Sequence, residues 1–569
     1  MKKAALVTIL FVIISIQSFS QVKQEWISWF DGSQIIGDES TDFVNDMIVD
    51  DSGNIYLTGT ITDPSPMEPT DVLTLKYFND GSLAWYQIYD RNGAGGAFGD
   101  AGNSIAMDSE GNIYVAGYTD EENLAFKDIL LLKYSNDGNL IWEKYFSLYD
   151  IKNLAFSGDD EALKVKVDSD DRIYVAGYSN NEDDSTGFYS HDFILIRYDK
   201  DGNLVWYDSY DFAASRDEIS ELTFDSFGNI YVTGQSDYST FMEGLALIKY
   251  LPAGDREWIA RHGSDGEVLS GYQLKTNSSD EIIIAFNSKF PDSTDSDIVV
   301  KSFDNIGNVL WSVRYDNGGG TFFNTDIVND LITDSEDNII LTGSTTQSGG
   351  TYNDFLTIRL SASGNILWIR TFNGTGNVHD NAYSLISDQD NYIYVSGITG
   401  TSNSQSYYEP AVIKYTPEGD SLYFILRDSI TASSGFPKEI LFDSNGNIIL
   451  SGNEEYTNSY DIFTIKFNEN PTSAGNNPVN KPVDFRLYQN YPNPFNPSTI
   501  INFEVPRESF VTIEIFNLIG ERINVIVSGF YNAGKYSVAW DAGGYPGGIY
   551  FYKLSSGSFS ETKKMILLH

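Results

Sequence analysis

Along most of the chain, apolar and polar residues alternate in runs of four to eight, and Asp, Asn and Gly cluster between the runs. A period of two with this punctuation predicts short half-buried strands joined by tight turns. One phrase, Asp-x-x-Gly-Asn-Ile-Tyr-Val-x-Gly, carries much of the pattern. It appears as Asp50–Gly59, Asp108–Gly117 and Asp225–Gly234, with changes as Asp168–Gly177, Asp334–Gly343, Asp388–Gly397 and Asp443–Gly452, and in degraded form as Asn277–Phe286. Its central residue recurs at Tyr56, Tyr114, Tyr174, Tyr231, Ile283, Ile340, Tyr394 and Ile449, in steps of 52 to 60 residues. Asp bonds its own backbone two residues on and Gly accepts positive φ, so each copy starts with hairpin chemistry.

A second phrase follows the first. In the second unit it runs from Asp128 to Trp142 through Leu-Leu-Lys-Tyr and an Asp-Gly turn. Its closing aromatic is Trp85, Trp142, Trp206, Trp258, Trp311, Trp368 and then Tyr423. Each unit therefore reads as four antiparallel strands, which at this repeat length is a propeller blade. The eighth unit starts at Asp461 but stops at Asn470 without its Trp strand. Trp26–Asp31 has the same spacing of Trp, aromatic and Asp as Trp311–Asp316. An N-terminal strand that supplies the missing piece would close a ring and remove its open edges. The expected fold is all-β: a closed β-propeller of eight four-stranded blades, or seven if the degraded fifth unit fails to complete one. The repeated aromatics, Trp26 included, are expected to pack blade against blade. The units resemble the bacterial β-propeller repeat family of secreted proteins, a label that implies a fold and no particular activity.

The repeat stops at a linker, 471–483, rich in Pro and Asn. Alternating segments resume after a proline-rich stretch, and six or seven short strands in residues 484–569 predict a small Ig-like β-sandwich. The order Tyr491-Pro492-Asn493-Pro494-Phe495-Asn496-Pro497, then Gly520, Trp540-Asp541, Gly547 with Tyr550, and Lys564-Met565 closely resembles the type A C-terminal sorting domain of the type IX secretion system. That resemblance implies partnership with the type IX machinery, passage through the outer membrane by way of the periplasm, and removal of the tail. The cargo is then released, or attached to surface lipopolysaccharide. It also implies a Bacteroidetes-type cell.

At the other end, Lys2 and Lys3 precede an apolar run, Ala4–Ile16, and Ser18 and Ser20 fit the −3 and −1 positions of a cut before Gln21. This predicts a secretory signal peptide over 1–20 and a propeller over 21–470. No other segment is long and apolar enough to span a bilayer. Aromatics make up 14% of the residues and there is no cysteine, so an exported protein of this kind must be held by packing and ring closure alone. The formal net charge is −44, while 484–569 holds seven acids and seven bases, so the negative field belongs to the repeats. That field disfavours nucleic acid as a partner and attracts divalent cations.

Candidate chemistry is sparse. His191, His262, His379 and His569 show no metal-ligand spacing, and there is no Gly-x-Ser-x-Gly elbow. No catalytic residue and no cofactor is predicted, with calcium at Asp292, Asp295 and Asp297 as a weak candidate because oxygens at alternating positions suit that ion. The expected function is that of a secreted or surface-held, non-catalytic binding or scaffold propeller. Its glycan or protein ligand would sit on the loops that depart most from the repeat, at 121–126, 181–190 and 401–409. The alternative is a secreted hydrolase or lyase acting on polysaccharide or peptide, with carboxylates at the ring mouth.

Overall fold

The computed structural model describes residues 23–468 and 485–568, apart from short stretches, chiefly 34–39, 63–69, 92–98, 121–125, 152–157, 182–189, 238–243, 318–324, 401–407, 427–433, 488–489, 491–494 and 496–497. The segments expected to be a signal peptide and a linker lie outside the described residues, as do the three ligand-loop candidates for most of their length.

The repeats form eight four-stranded antiparallel sheets. Sheet 1 is Thr41–Val49, Ile55–Thr62, Thr70–Tyr77 and Leu83–Tyr89, hydrogen-bonded in that order. Sheets 2 to 7 repeat it, with first strands Ala101–Met107, Asp160–Val167, Asp217–Phe224, Val268–Thr276, Asp326–Thr333 and Asn381–Ser387. The degraded fifth unit builds all four of its strands. Sheet 8 is composite: Ser434–Phe442, Ile448–Glu455 and Tyr460–Asn468 are completed by the N-terminal strand Lys23–Phe30. In that seam Trp26 faces Lys466, Trp29 faces Phe463 and Phe30 faces Ile462. First strands of successive sheets pack together, and those of sheets 8 and 1 close the circle.

Two local devices fix the units. Each 1–2 turn is closed by its Asp, or by Asn277 in the fifth unit: Asp50 N–H donates to Asn54 O at 2.9 Å, and the Tyr56 hydroxyl reaches Asp50 Oδ2 at 3.0 Å. Where the turn lacks glycine, Asp171, Asp280, Asp337 and Asn391 take the positive φ. Their side chains then accept bonds from the neighbouring sheet's turn, as when Ser109 N and Oγ donate to Asp171 at 2.8 and 2.6 Å. The fourth-strand tryptophans lie across the 3–4 turn of the next sheet. Trp26, Trp85, Trp258, Trp311 and Trp368 donate Nε1–H to Asn79, Asn136, Asn305, Ala362 and Pro417 carbonyls at 2.9–3.0 Å, and Trp206 donates to Pro252 at 3.4 Å. Trp142 lies against Gly202 in the same way. Tyr423 stands in the corresponding strand, Ser421–Leu426.

The tail is a separate compact unit, 471–569. Arg486–Leu487, Ser498–Val505 and Gly534–Asp541 make one sheet; Arg522–Tyr531, Ser509–Phe516, Gly548–Ser556 and Phe559–Leu567 make the other. Its core gathers Phe495, Ile501, Phe503, Ile513, Trp540, Tyr552 and Met565.

Candidate functional site

Every first strand carries a one- or two-residue bulge, and the residue just past it points to the ring axis. Counted from the turn Asp or Asn, that residue is always four positions upstream: Asp46, Ser104, Lys164, Glu221, Gln273, Asp330, Ser384 and Glu439. Small or short side chains sit opposite it on the second strand, from Thr58 to Ser451, which leaves room at the axis. These residues line a cavity of about 1030 Å³ together with Lys166, Lys275, Tyr383 and Phe436.

Most of the axial acids are occupied. Asp46 Oδ2 accepts from Ser104 Oγ at 2.8 Å and Ile105 N at 2.9 Å, both in the next sheet. Asp330 Oδ2 does the same with Ser384 Oγ at 3.3 Å and Leu385 N at 2.9 Å. Glu439 Oε2 crosses the seam to Met47 N at 3.0 Å. A bulge leaves ladder groups unpaired, and these carboxylates satisfy the exposed amides of the adjoining bulge. Asn45 and Asn329 treat the carbonyl side likewise, donating to Gly102 O at 3.0 Å and Ala382 O at 2.7 Å. Burial, with Asp46 beside it, holds the Glu439 carboxyl well above its usual range. Burial also raises Asp330, against the pull of Lys275.

The other arc of the channel is basic. Lys164 pairs with Glu221 at 2.7 Å and is held above its ordinary value by that carboxylate. Burial would raise Glu221, but Lys164, Lys166 and Lys275 outweigh it and keep Glu221 ionised below its usual range. Lys166 is half-buried by its surface exposure, yet enough protein surrounds the ammonium to draw it down to about 8, with Lys275 and Lys164 adding their repulsion to burial and Glu221 opposing. Three lysines around one glutamate make a local positive site inside a strongly acidic protein.

A second set of acids begins the first strands, eight residues before the turn in six of the eight units: Asp42, Asp100, Asp160, Asp217, Asp326 and Asp380. All are buried. Each takes an amide from the chain entering its sheet, such as Gly32 N to Asp42 at 2.5 Å and Leu148 N to Asp160 at 3.0 Å. Burial pushes Asp42, Asp160 and Asp217 up to about 7 and Asp326 to about 6. In three places such an acid meets two more, the groups being Asp31–Asp42–Asp461, Asp71–Asp90–Asp100 and Asp297–Asp316–Asp326.

Of the calcium candidates, Asp292 lies outside the described residues. Asp297 is buried and meets Asp316 and Asp326, and Asp295 also acts on it electrostatically. Ser20 and Gln21 also lie outside the described residues. In the tail, Tyr491, Pro492, Asn493, Pro494, Asn496 and Pro497 lie outside them, while Phe495 is buried 5.6 Å from the Trp540 ring and bonded through its amide to Ile566 O at 2.9 Å. Gly520 takes positive φ in the Asn517–Glu521 turn, and Tyr550 stacks edge-on against Trp540 at 5.6 Å. Met565 is buried, Lys564 and Gly547 are exposed, and Asp541 ends its strand.

An uncharacterized WD repeat-containing protein of Acanthamoeba polyphaga mimivirus is 22% identical over 54% of this chain; the chain spans 30% of that protein's length. Among solved structures, the β-propeller domain of the Trilobed protease from Pyrococcus furiosus, described as having an open velcro topology, is 9% identical, with 69% of this chain and 98% of that one covered and a TM-score of 0.36. An ulvan lyase from a polysaccharide lyase family is 8% identical over 75% and 93%, TM-score 0.38. The arabinofuranosidase of Fusarium graminearum is 10% identical over 53% and 91%, TM-score 0.32. The models that match are narrower and more telling. Residues 32–64, 94–125 and 212–238 match the beta-propeller repeat, and 489–568 match the secretion system C-terminal sorting domain. The chain is thus a β-propeller repeat protein bearing a type IX C-terminal sorting domain, which marks it for secretion or attachment at the outer surface.

Proposed function

We propose that this exported propeller is a non-catalytic binding protein and that its axial channel takes an acidic glycan, a chain bearing carboxylate or sulfate groups. The observation that carries the reading is the division of charge along the channel. Asp46, Asp330 and Glu439 are committed to backbone amides, whereas Lys166 and Lys275 flank Glu221 with no acid reserved for each. Asp46 and Glu439 also bond to one another, which is closer than the roughly 5–10 Å at which glycosidase carboxyl pairs act. Tyr383 and Phe436 offer faces for sugar rings. The negative exterior does not forbid an anion here, because its repulsion is screened beyond about 8 Å at physiological salt.

One observation favours a lyase instead: an amine drawn down to about 8 is a competent base for removing a proton next to a uronate carboxylate. A single experiment separates the readings. The purified chain is titrated with acidic and neutral polysaccharides while ultraviolet absorbance is followed for new double bonds. Binding of acidic chains without turnover, weakened about tenfold or more in Lys166→Met and Lys275→Met, is the expected result, since charged hydrogen bonds contribute about 1.5–3 kcal/mol. Turnover lost in Lys166→Met would establish the lyase. Binding indifferent to both lysines would remove the channel from the account.

A further inference from the structure

The ring is closed by non-covalent contacts alone, and three carboxylates meet at the closure. Asp31 follows the N-terminal strand, Asp461 opens the third strand of sheet 8, and Asp42 opens the first strand of sheet 1. One oxygen from each lies within 4.8 Å of the other two. Asp42 is fully buried. Its Oδ2 accepts from Gly32 N at 2.5 Å, but its Oδ1, equally buried, has no hydrogen-bond partner among the described residues. A buried carboxylate oxygen facing two other acids with no donor is an unstable arrangement unless a proton or a metal cation joins it.

The repeat supplies its own comparison. The same three positions meet at Asp297, Asp316 and Asp326, and there the Arg314 guanidinium pairs with Asp297. A built-in cation sits at that junction. At the seam, the groups that act most on Asp42 and Asp461 are other acids and hydrogen-bond donors, and none is a lysine or arginine.

We infer that Asp31, Asp42 and Asp461 form a Ca²⁺ site that locks the N-terminal strand into the ring. Oxygens bound to one Ca²⁺ at 2.3–2.6 Å stand at most about 5 Å apart, which the seam satisfies, whereas Mg²⁺ at 2.0–2.1 Å draws them within about 4.2 Å. Three carboxylates give three to six of the six to eight oxygens Ca²⁺ takes, the remainder being water or carbonyl. Because two of the ligands belong to sheet 8 and one to sheet 1, the ion bridges the junction rather than decorating a loop. This inference stands independently of what the axial channel binds.

The test uses the full chain, stripped with EDTA and dialysed against about 1 mM Ca²⁺, the range in which extracellular modules load. Bound calcium is counted by elemental analysis and Tm is measured with and without the ion. Asp461→Asn is expected to bind one Ca²⁺ fewer per chain than wild type and to lose most of the calcium-dependent rise in Tm, while Asp295→Asn behaves as wild type. Equal stoichiometry in Asp461→Asn and wild type overturns the assignment, as does a wild type that binds no calcium up to about 10 mM. Should Asp461→Asn fail to fold by circular dichroism, chymotrypsin decides on the wild type. Ca²⁺, and not Mg²⁺, is expected to slow cleavage at Trp26, Trp29 and Phe30 at least tenfold, and an unchanged rate refutes the site.

Discussion

Replacing Gly81 by alanine tests whether the N-terminal strand really closes the ring. Gly81 sits in the 3–4 turn of sheet 1 at φ +85°, beneath Trp26 of the closing strand, and a Cβ there would stand 2.6 Å from Trp26 Cδ2. Two costs add. Alanine in the left-handed region costs about 1–2 kcal/mol. Pressing a methyl into a rigid indole that is itself bonded to Asn79 O adds about 1–3 kcal/mol of overpacking. Gly446 provides the control, because it takes φ +76° in the 1–2 turn of sheet 8 and a Cβ there would meet nothing within 4 Å. Gly446→Ala should therefore lose about 1–2 kcal/mol and Gly81→Ala about 2–5 kcal/mol. Urea unfolding measures both. Hydrogen exchange of 23–30 should accelerate in Gly81→Ala while exchange at the distant sheet 4 stays unchanged. Equal losses in the two variants, or exchange at 23–30 that does not respond, would show that the tryptophan does not clamp the seam.

Other outcomes follow from the same geometry. Asp160, raised to about 7 by burial with Asp128 nearby, holds a proton in the folded state that the unfolded chain loses above about 4. Its contribution to stability therefore falls as pH rises from about 4 to 7 and levels off above. In EDTA buffer, Asp160→Asn should flatten that slope, by at most about 4 kcal/mol over the window, and an unaltered slope would count against the burial argument. At Asp337, φ +60°, glycine removes the strain but gives up the bonds from Ser278, whereas alanine keeps the strain and loses the bonds. Asp337→Ala should thus be about 1–2 kcal/mol less stable than Asp337→Gly by urea titration. Trp540→Ala removes the centre of the Phe495, Tyr545 and Tyr550 cluster, costing about 3–5 kcal/mol. The tail unit should unfold and the protein collect in the periplasm rather than the medium, which immunoblots of cell fractions would read.

The repeat, its turns and the borrowed strand were legible because each rests on local chemistry that recurs in register. A turn Asp (Asn277 in the fifth unit), a positive-φ residue and a fourth-strand aromatic, Trp in all but the seventh unit, keep their spacing throughout. The axial ring was legible in principle too, since a polar residue stands four before every turn Asp or Asn from Asp46 to Glu439. It was hidden because the bulge shifts the alternation at that point, so an inward-facing lysine or aspartate looks like a solvent-facing one. The buried acids of the Asp42 class were hidden for a different reason. An acid at a strand start in a chain of net charge −44 reads as solvated, and only the packing of the next sheet buries it. The acids meeting at Asp31, Asp42 and Asp461 come from two sheets, and Asp461 lies hundreds of residues from the other two, so a loop pattern such as Asp292, Asp295 and Asp297 is the kind of grouping a sequence displays and this one is not.

The seam explains how a protein without cysteine can stay closed. Joining the strand at Lys23–Phe30 to the strand at Tyr460–Asn468 closes a loop of more than four hundred residues, and the entropy of doing so is about 5 kcal/mol by loop-length scaling. In the unfolded chain nothing reduces that cost, since no disulfide holds the ends. What offsets it must come from the seam itself: the buried Phe30 in the core shared by sheets 8 and 1, the Trp26 clamp on Gly81, and the acids at Asp31, Asp42 and Asp461. The first two act as soon as the strand docks. The third is repulsive while all three acids are ionised, so on the proposed calcium site the closed ring gains its last stabilisation where calcium is plentiful, as it is outside the cell. An address for export and a seam that tightens after export are then parts of one design.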